Sequence, residues 1–433
     1  MTLRKVLFWV HFGAGAVAGL VILIMSFTGV VLVFERQIAA WVDRGYRSQP
    51  PQLGASRLAI GNFGERVCAN PSPPLSGIRV QADPRMPVEV SYGRDRIVYF
   101  DSYTGREMGV GSERTRHFFT TVESWHRWFG VPDEHRSVGR MVTGVCNLAF
   151  LVLVGTGVFL WWPRDWSWQR LRAAITFRWP LSAGRARDWN WHTVTGFWCA
   201  IPLLVIVMCG VVMSFPWANN LLYRLTGNTP PAQMFVAVSS RASATAPSRP
   251  HGEPLSPRGS RRPGSGAAHK SSEHPRGSPE TAAGSVCATW DVDRVNGLWE
   301  RAQNQVPGWQ TITFRVPSNA AGRGVFLIDR GSGGRPDQRS QLTIDWQTGE
   351  TVRWEPFSAY NLGRRLRAWV RFSHTGEAAG VAGQIVAALA AAGAVVLVFT
   401  GLAMAWRRAW SVVAFRPAPS ASKVSNQWVE DGE

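Results

Sequence analysis

Four stretches of this chain, roughly Val6–Phe34, Met141–Trp162, Thr193–Phe215 and Ala378–Trp406, are apolar over a length that suffices to cross a bilayer; about 20 such residues are enough. Inside hydrocarbon every backbone N–H and C=O must be satisfied within its own segment, so these stretches are predicted to be helices. The first is about 29 residues long, longer than a secretory signal core, and no cleavage pattern follows it. It is read as a permanent anchor.

The charge fits a membrane chain. The 433 residues carry a net charge of +18, nearly all from arginine, with lysine only at Lys5, Lys270 and Lys423. Such a balance can signal nucleic acid, but four spans account for it better, and no nucleic-acid partner is expected. Many of the 22 tryptophans flank the spans, among them Trp9, Trp162, Trp189, Trp217, Trp406 and Trp410, as in an interfacial aromatic belt. Arg4 and Lys5 precede the first span, a short arginine-rich loop follows the second, and Arg407 and Arg408 follow the fourth. Short basic loops stay inside. Both termini are therefore predicted to be cytoplasmic, in a bacterial inner membrane, with lipid as the surrounding partner.

The expected organisation is a cytoplasmic start with the first span (1–36), an external module (37–124) and a lead-in with the second span (125–163). A cytoplasmic loop (164–190), the third span (191–217) and a second external module (218–365) follow. A lead-in with the fourth span (366–408) and a cytoplasmic tail (409–433) complete it. Both modules contain the pattern strand, turn, strand, Asp-x-x-Thr-Gly, strand, with Asp101, Thr104 and Gly105 matching Asp345, Thr348 and Gly349. Aspartate opens such a turn and glycine supplies the positive φ at its end. Both read as small α+β modules. Within the second, Ser239–Ser285 is dominated by Ser, Pro, Arg, Gly and Ala and is expected to be disordered; His251, His269 and His274 lie there as incidental residues.

Of the five cysteines, Cys146, Cys199 and Cys209 lie in spans and read as packing residues. Cys68 and Cys287 are the external ones and are expected to be both free or joined to each other. There is no CxxC, so a cysteine-based metal site has little support.

The repeat extends into the spans. His11 is followed by Gly15 and Gly29, and His192 by Gly196 and Gly210, at the same spacings of four and eighteen. Gly139 precedes Gly157 by eighteen, as Gly383 precedes Gly401. The chain reads as a four-span helical bundle made from a duplicated span–module–span unit. Eighteen residues are five helical turns, about 27 Å of rise, so each histidine shares a helix face with a glycine at the opposite membrane surface. A glycine one turn from a histidine leaves a flat gap beside the imidazole.

His126 precedes span two and His374 precedes span four. With His11 and His192 they make two levels, which predicts two bis-histidine b-type haems per chain, one near each surface. These four histidines are the expected axial ligands of the iron. Gly29 and Gly210 are expected beside the external haem, and Gly157 and Gly401 beside the cytoplasmic one. His374 lies nine residues before Gly383, but His126 lies thirteen before Gly139, with Pro132 between. His126 can reach its level only if that segment folds back; His135 and His117 are the alternatives. Arg140 and Arg371 are candidates for the haem edge, and the rim arginines Arg364, Arg365, Arg367 and Arg371 could hold propionates or an anionic chelate.

The stretches "ESWHRWFG", "DSYTGRE", "WNWHTVTGFW", "IDWQTGE" and "FSHTGEAAG" resemble the PepSY-associated transmembrane family, over nearly the whole chain apart from the Ser/Pro-rich insertion. The resemblance implies PepSY modules and, in some members, haem-mediated electron transfer to ferric siderophores or other ferric chelates outside the membrane. Two other readings remain, a peptide- or protease-binding membrane protein without catalysis and a siderophore uptake component. No Gly-rich dinucleotide fingerprint is visible, so the electron donor is expected to be a membrane quinol or a cytoplasmic reductase.

Overall fold

A computed structural model describes residues 2–414, apart from 53, 70–74, 94–95, 164–166, 180–183, 231–286, 288 and 318–321. The predicted insertion at 239–285, with its three histidines, lies outside the described residues, as does the tail beyond 414.

In chain order the first helices are α1 (Leu3–Leu32), α2 (Glu35–Val42), α3 (Ile60–Cys68), α4 (Glu113–Trp128), α5 (Arg136–Trp161) and α6 (Trp168–Ile175). Next come α7 (Arg185–Ser214), α8 (Pro216–Leu225), α9 (Val292–Gln305), α10 (Leu362–His374) and α11 (Gly380–Ala414). The strands are β1 (Leu75–Gln81), β2 (Val88–Tyr92), β3 (Arg96–Phe100), β4 (Glu107–Val110), β5 (Thr311–Arg315), β6 (Arg323–Asp329), β7 (Arg339–Asp345) and β8 (Thr351–Pro356). The chain divides into a helical unit, built from Met1–Val42, Arg114–Ala218 and the chain from Ala368 onward, and a sheet unit, Asp43–Glu113 with Asn219–Arg367.

The helical unit carries four segments long and apolar enough to cross a membrane, Leu3–Leu32, Glu113–Trp161, Arg185–Ser214 and Glu377–Trp410, each with an 18-residue stretch of mean hydropathy between 2.0 and 2.5. α1 packs beside α5 and α11, and α7 packs beside the same two. The ring therefore has α1 diagonal to α7 and α5 diagonal to α11. Lipid offers no hydrophobic drive between helices, so association depends on close approach of small residues. Ala18, Ala387, Ala390 and Ala394 are buried accordingly, and a Cβ at Gly393 would overlap the Cys199 thiol. Val17, Leu20, Ile201, Leu389 and Phe399 point outward. This is a multi-pass helical membrane protein.

Two reversals bring the chain into α5 and α11. α4 ends at Trp128; Phe129 and Gly130 follow at φ 59° and 67°, and Pro132 opens a short turn before α5. The start of α5 then lies against the end of α4: the Thr143 hydroxyl donates to the Arg127 carbonyl at 2.8 Å, and a Cβ at Gly139 would overlap the Trp128 carbonyl. At the other reversal Gly376, at φ 76°, stands so close to Gly383 that a Cβ on either would overlap the other's carbonyl group. Trp128 and Gly376 each lie two residues after a histidine, so the unequal linkers converge on one geometry. The buried Glu377 in the second reversal accepts from Arg36 at 3.2 Å. Nearby, Gln384 donates to the Val33 carbonyl at 2.7 Å.

In the sheet unit the strands of the two expected modules meet. Its strands form one antiparallel sheet in the order β4-β3-β2-β1-β5-β6-β7-β8. The joint is the β1–β5 pair, with Ile78 opposite Phe314 and Val80 opposite Ile312. Alone, each set of four would expose its first strand as an unpaired edge, and pairing the two removes both edges. α3 and α9 cover one face, where Phe63, Ile78, Val90, Phe314, Phe326, Ile344 and Trp346 form the core. Gly64 lets Trp290 lie on α3, since a Cβ there would overlap the indole. A disulfide joins Cys68, the last residue of α3, to Cys287, deciding between the two cysteine states left open by the sequence.

The Asp-x-x-Thr-Gly turns form as read. Asp101 Oδ1 accepts from the Tyr103 and Thr104 N–H groups at 3.0 and 2.8 Å, and Asp345 Oδ1 from those of Gln347 and Thr348 at 2.9 and 3.0 Å. Gly105 and Gly349 close them at φ 67° and 73°. The Thr348 and Gln347 N–H groups hold the Asp345 carboxyl below its ordinary range. Burial pushes Asp101 up, but the Thr104 and Tyr103 N–H groups outweigh it and leave that carboxyl lowered too. Because both folded values lie below the unfolded one, of about 4, this stabilisation is complete above that pH and is lost as pH falls through the lowered values. Thermal unfolding of the full chain should weaken on acidification, and Asp101→Asn with Asp345→Asn should flatten that dependence. An unchanged pH slope in the double variant would remove these turns from the account.

Candidate functional site: two histidine pairs

The histidines predicted from the sequence meet in two pairs. His11 on α1 faces His192 on α7 across the diagonal of the ring, with ring centroids 6.3 Å apart and planes at 85°. His126 at the end of α4 faces His374 at the end of α10, at 6.2 Å and 60°. Of the alternatives, His117 and His135 are exposed, and neither belongs to a pair.

Each imidazole leans on a neighbouring helix through Nδ1. His11 Nδ1 lies 2.9 Å from Thr156 Oγ1, and His192 Nδ1 lies 3.0 Å from Thr400 Oγ1. His126 Nδ1 lies 3.0 Å from Thr28 Oγ1 and 2.9 Å from the Met25 carbonyl. His374 Nδ1 lies 2.8 Å from the Ile206 carbonyl. A carbonyl can only accept, so His126 and His374 carry their proton on Nδ1 and leave Nε2 bare.

The glycines stand next to these threonines. A Cβ at Gly157 or Gly401 would lie 3.4 Å from Cε1 of His11 or His192, and one at Gly29 would lie 3.5 Å from Cε1 of His126. The bare Cα of each Thr-Gly step is thus the surface on which the ring rests. Gly210 differs from the other three glycines: its nearest neighbour is the amide of Asn147, not an imidazole. Asn147 fills that space because its Nδ2 reaches the Val207 carbonyl at 3.1 Å. Gly15 and Gly196, one turn after His11 and His192, have little beside them; an added Cβ would meet only Leu153 at 3.7 Å or Leu397 at 3.6 Å.

Arg140 follows Gly139 at the start of α5, and Arg371 precedes His374 by one turn of α10; both are exposed. Of the other rim arginines, Arg364 pairs with Glu355 and Arg367 donates to Asn219 Oδ1 at 2.9 Å. At the far end of the ring Asp188, one turn before His192, is buried between Arg187 at 3.4 Å and Arg407 at 3.2 Å.

The threonines were missed in the sequence. Their signal is a Thr-Gly step recurring at Thr28-Gly29, Thr156-Gly157 and Thr400-Gly401, with Cys209-Gly210 in the fourth place. Only the glycine periodicity was legible without knowing which helix each step faces. Among the described residues no group of three or more His, Cys, Asp and Glu side chains gathers as for a metal ion.

A helical membrane protein with paired histidines inside its four-helix ring is the class this geometry defines. The chain belongs to the family described as the PepSY-associated TM region, which matches residues 8–408. A comparison with curated proteins found no match.

Proposed function

We propose that this protein carries electrons across a bacterial inner membrane through two b-type haems and delivers them to a ferric siderophore or another ferric chelate outside. The observation that carries this reading is the spacing of the histidine pairs. A metal–imidazole bond of about 2 Å on each side, with about 1 Å from ring nitrogen to ring centre, separates two axial imidazoles by about 6 Å. The pairs stand at 6.3 and 6.2 Å. Direct ring contact accounts for such a spacing as well, but it requires neither the Nδ1 anchors nor two such pairs.

His11 with His192 would hold one haem, and His126 with His374 the other, with the four Nδ1 atoms already engaged and Nε2 left for iron. Bound haem supplies one-electron chemistry. His11 and Thr28, the contact of His126, lie seventeen residues apart on α1, about 26 Å of helix, so one centre does not bridge the bilayer and two stations divide the gap. Uptake of one electron turns Fe³⁺ into Fe²⁺, which oxygen-rich chelators hold less tightly. The donor is a quinol or a cytoplasmic reductase.

The same reading makes the chain a duplicated unit with its sheet modules outside and both termini in the cytoplasm. In support, a helix followed by four antiparallel strands occurs twice, as α3 with β1–β4 and α9 with β5–β8. The disulfide in the sheet unit suits an oxidising compartment. Labelling of intact spheroplasts with an impermeant thiol reagent should reach Cys68 and Cys287 only after reduction from outside. Labelling only after lysis would reverse the orientation.

The haem reading is tested by a pyridine haemochrome assay with a reduced-minus-oxidised spectrum on purified, haem-supplied protein. Two haems per chain are expected. Clearly less than one per chain would overturn it.

A further inference from the structure

We propose that Thr156 and Thr400 are positioning residues that fix the tautomer of His11 and His192 and thereby present Nε2 to a metal, with Thr28 a second acceptor beside the Met25 carbonyl at His126; the metal part of this rests on the haem reading above. A hydroxyl has one proton to give. Thr156 commits its proton to the Val152 carbonyl at 2.7 Å, Thr400 to the Val396 carbonyl at 2.7 Å, and Thr28 to the Ile24 carbonyl at 2.7 Å. Each hydroxyl oxygen can then only accept from the facing ring. Nδ1 of His11, His192 and His126 therefore carries the proton, as the Met25 and Ile206 carbonyls require independently for His126 and His374. Four imidazoles on four helices reach the same state by two kinds of acceptor.

The arrangement also ranks the threonines. His126 has a carbonyl at 2.9 Å besides its threonine, so it keeps an acceptor without the hydroxyl. The Leu153 and Leu397 carbonyls also interact with the rings of His11 and His192, but the oxygens at 2.9 and 3.0 Å from Nδ1 are the hydroxyls. His11 and His192 depend on their threonines most. At these places the threonine hydroxyl bonds back to the carbonyl one turn earlier, at a slight cost to the helix. The following glycine lets the ring come down onto it.

The test uses full-length protein in lipid nanodiscs with ¹⁵N-labelled histidine, prepared without haem. Spectra are taken at about pH 8.5, above the ordinary imidazole pKa of about 6.5. Wild-type His11 and His192 should show protonated Nδ1 and bare Nε2. Thr156→Val should mix the tautomers of His11, and Thr400→Val those of His192. Thr156→Ser and Thr400→Ser should restore the wild-type signals, and Thr28→Val should change His126 little. In haem-supplied protein, Thr156→Val and Thr400→Val should weaken one haem by about ten- to a hundred-fold. They should also shift that haem's reduction potential upward, because an imidazole without its acceptor donates less to ferric iron, and serine should reverse both effects. Unchanged tautomers in Thr156→Val and Thr400→Val, or serine variants that behave like valine, would overturn the proposal. If the tautomers shift as expected but no form of the protein binds haem, the haem reading fails and the assignment of the threonines stands.

Discussion

His192→Ala should leave the protein with one haem instead of two, and His11→Ala should remove the same one. His11 and His192 face each other at 6.3 Å, so each can reach only its own side of a metal held between them, and neither replaces the other. His374→Ala should remove the second haem and leave the first, because His374 pairs with His126 at the opposite end of the ring. His11, His192 and His126 rest on Thr-Gly steps and His374 leans on the Ile206 carbonyl, and the helices should still assemble without any one of the rings. Far-UV circular dichroism with haem content measured on the same samples separates ligand loss from misfolding. If all three variants keep the wild-type haem content and spectrum, the pairs are packing contacts and nothing more.

Gly376→Leu and Gly139→Leu should disable the His126–His374 level through the backbone. Gly376 sits at φ 76°, a conformation that costs about 1–2 kcal/mol for a residue with a Cβ, and that Cβ would also overlap the Gly383 carbonyl. At Gly139 the obstacle is the Trp128 carbonyl. In each case the reversal that returns a histidine to the ring is forced open. The expected result is loss of the haem at this level and a lower temperature of unfolding, with the His11–His192 haem retained at reduced protein yield. Gly13 is the control, because a Cβ there meets nothing within 4 Å, and Gly13→Leu should keep both haems. Wild-type haem content at both levels in Gly376→Leu and Gly139→Leu would show that the reversals do not place the histidines.

Several features were legible in the sequence because they depend on neighbours along the chain. Hydropathy and length marked the spans, and helical rise put His11 near one end of α1 and Gly29 near the other. Asp101 and Asp345 announced their turns because aspartate bonds the N–H groups two and three residues on and glycine takes the positive φ that closes the loop. The tertiary structure decided what rests on residues far apart in the chain. It set His126 rather than His117 or His135 opposite His374, through a reversal whose closeness depends on Gly139 meeting a backbone carbonyl. It joined the two sets of strands into one sheet, because an unpaired β1 beside an unpaired β5 is less stable than the two hydrogen-bonded. It also brought Thr156 and Thr400 under His11 and His192, partners 145 and 208 residues away. No local pattern encodes those contacts, since which helix a Thr-Gly step faces depends on how the ring closes.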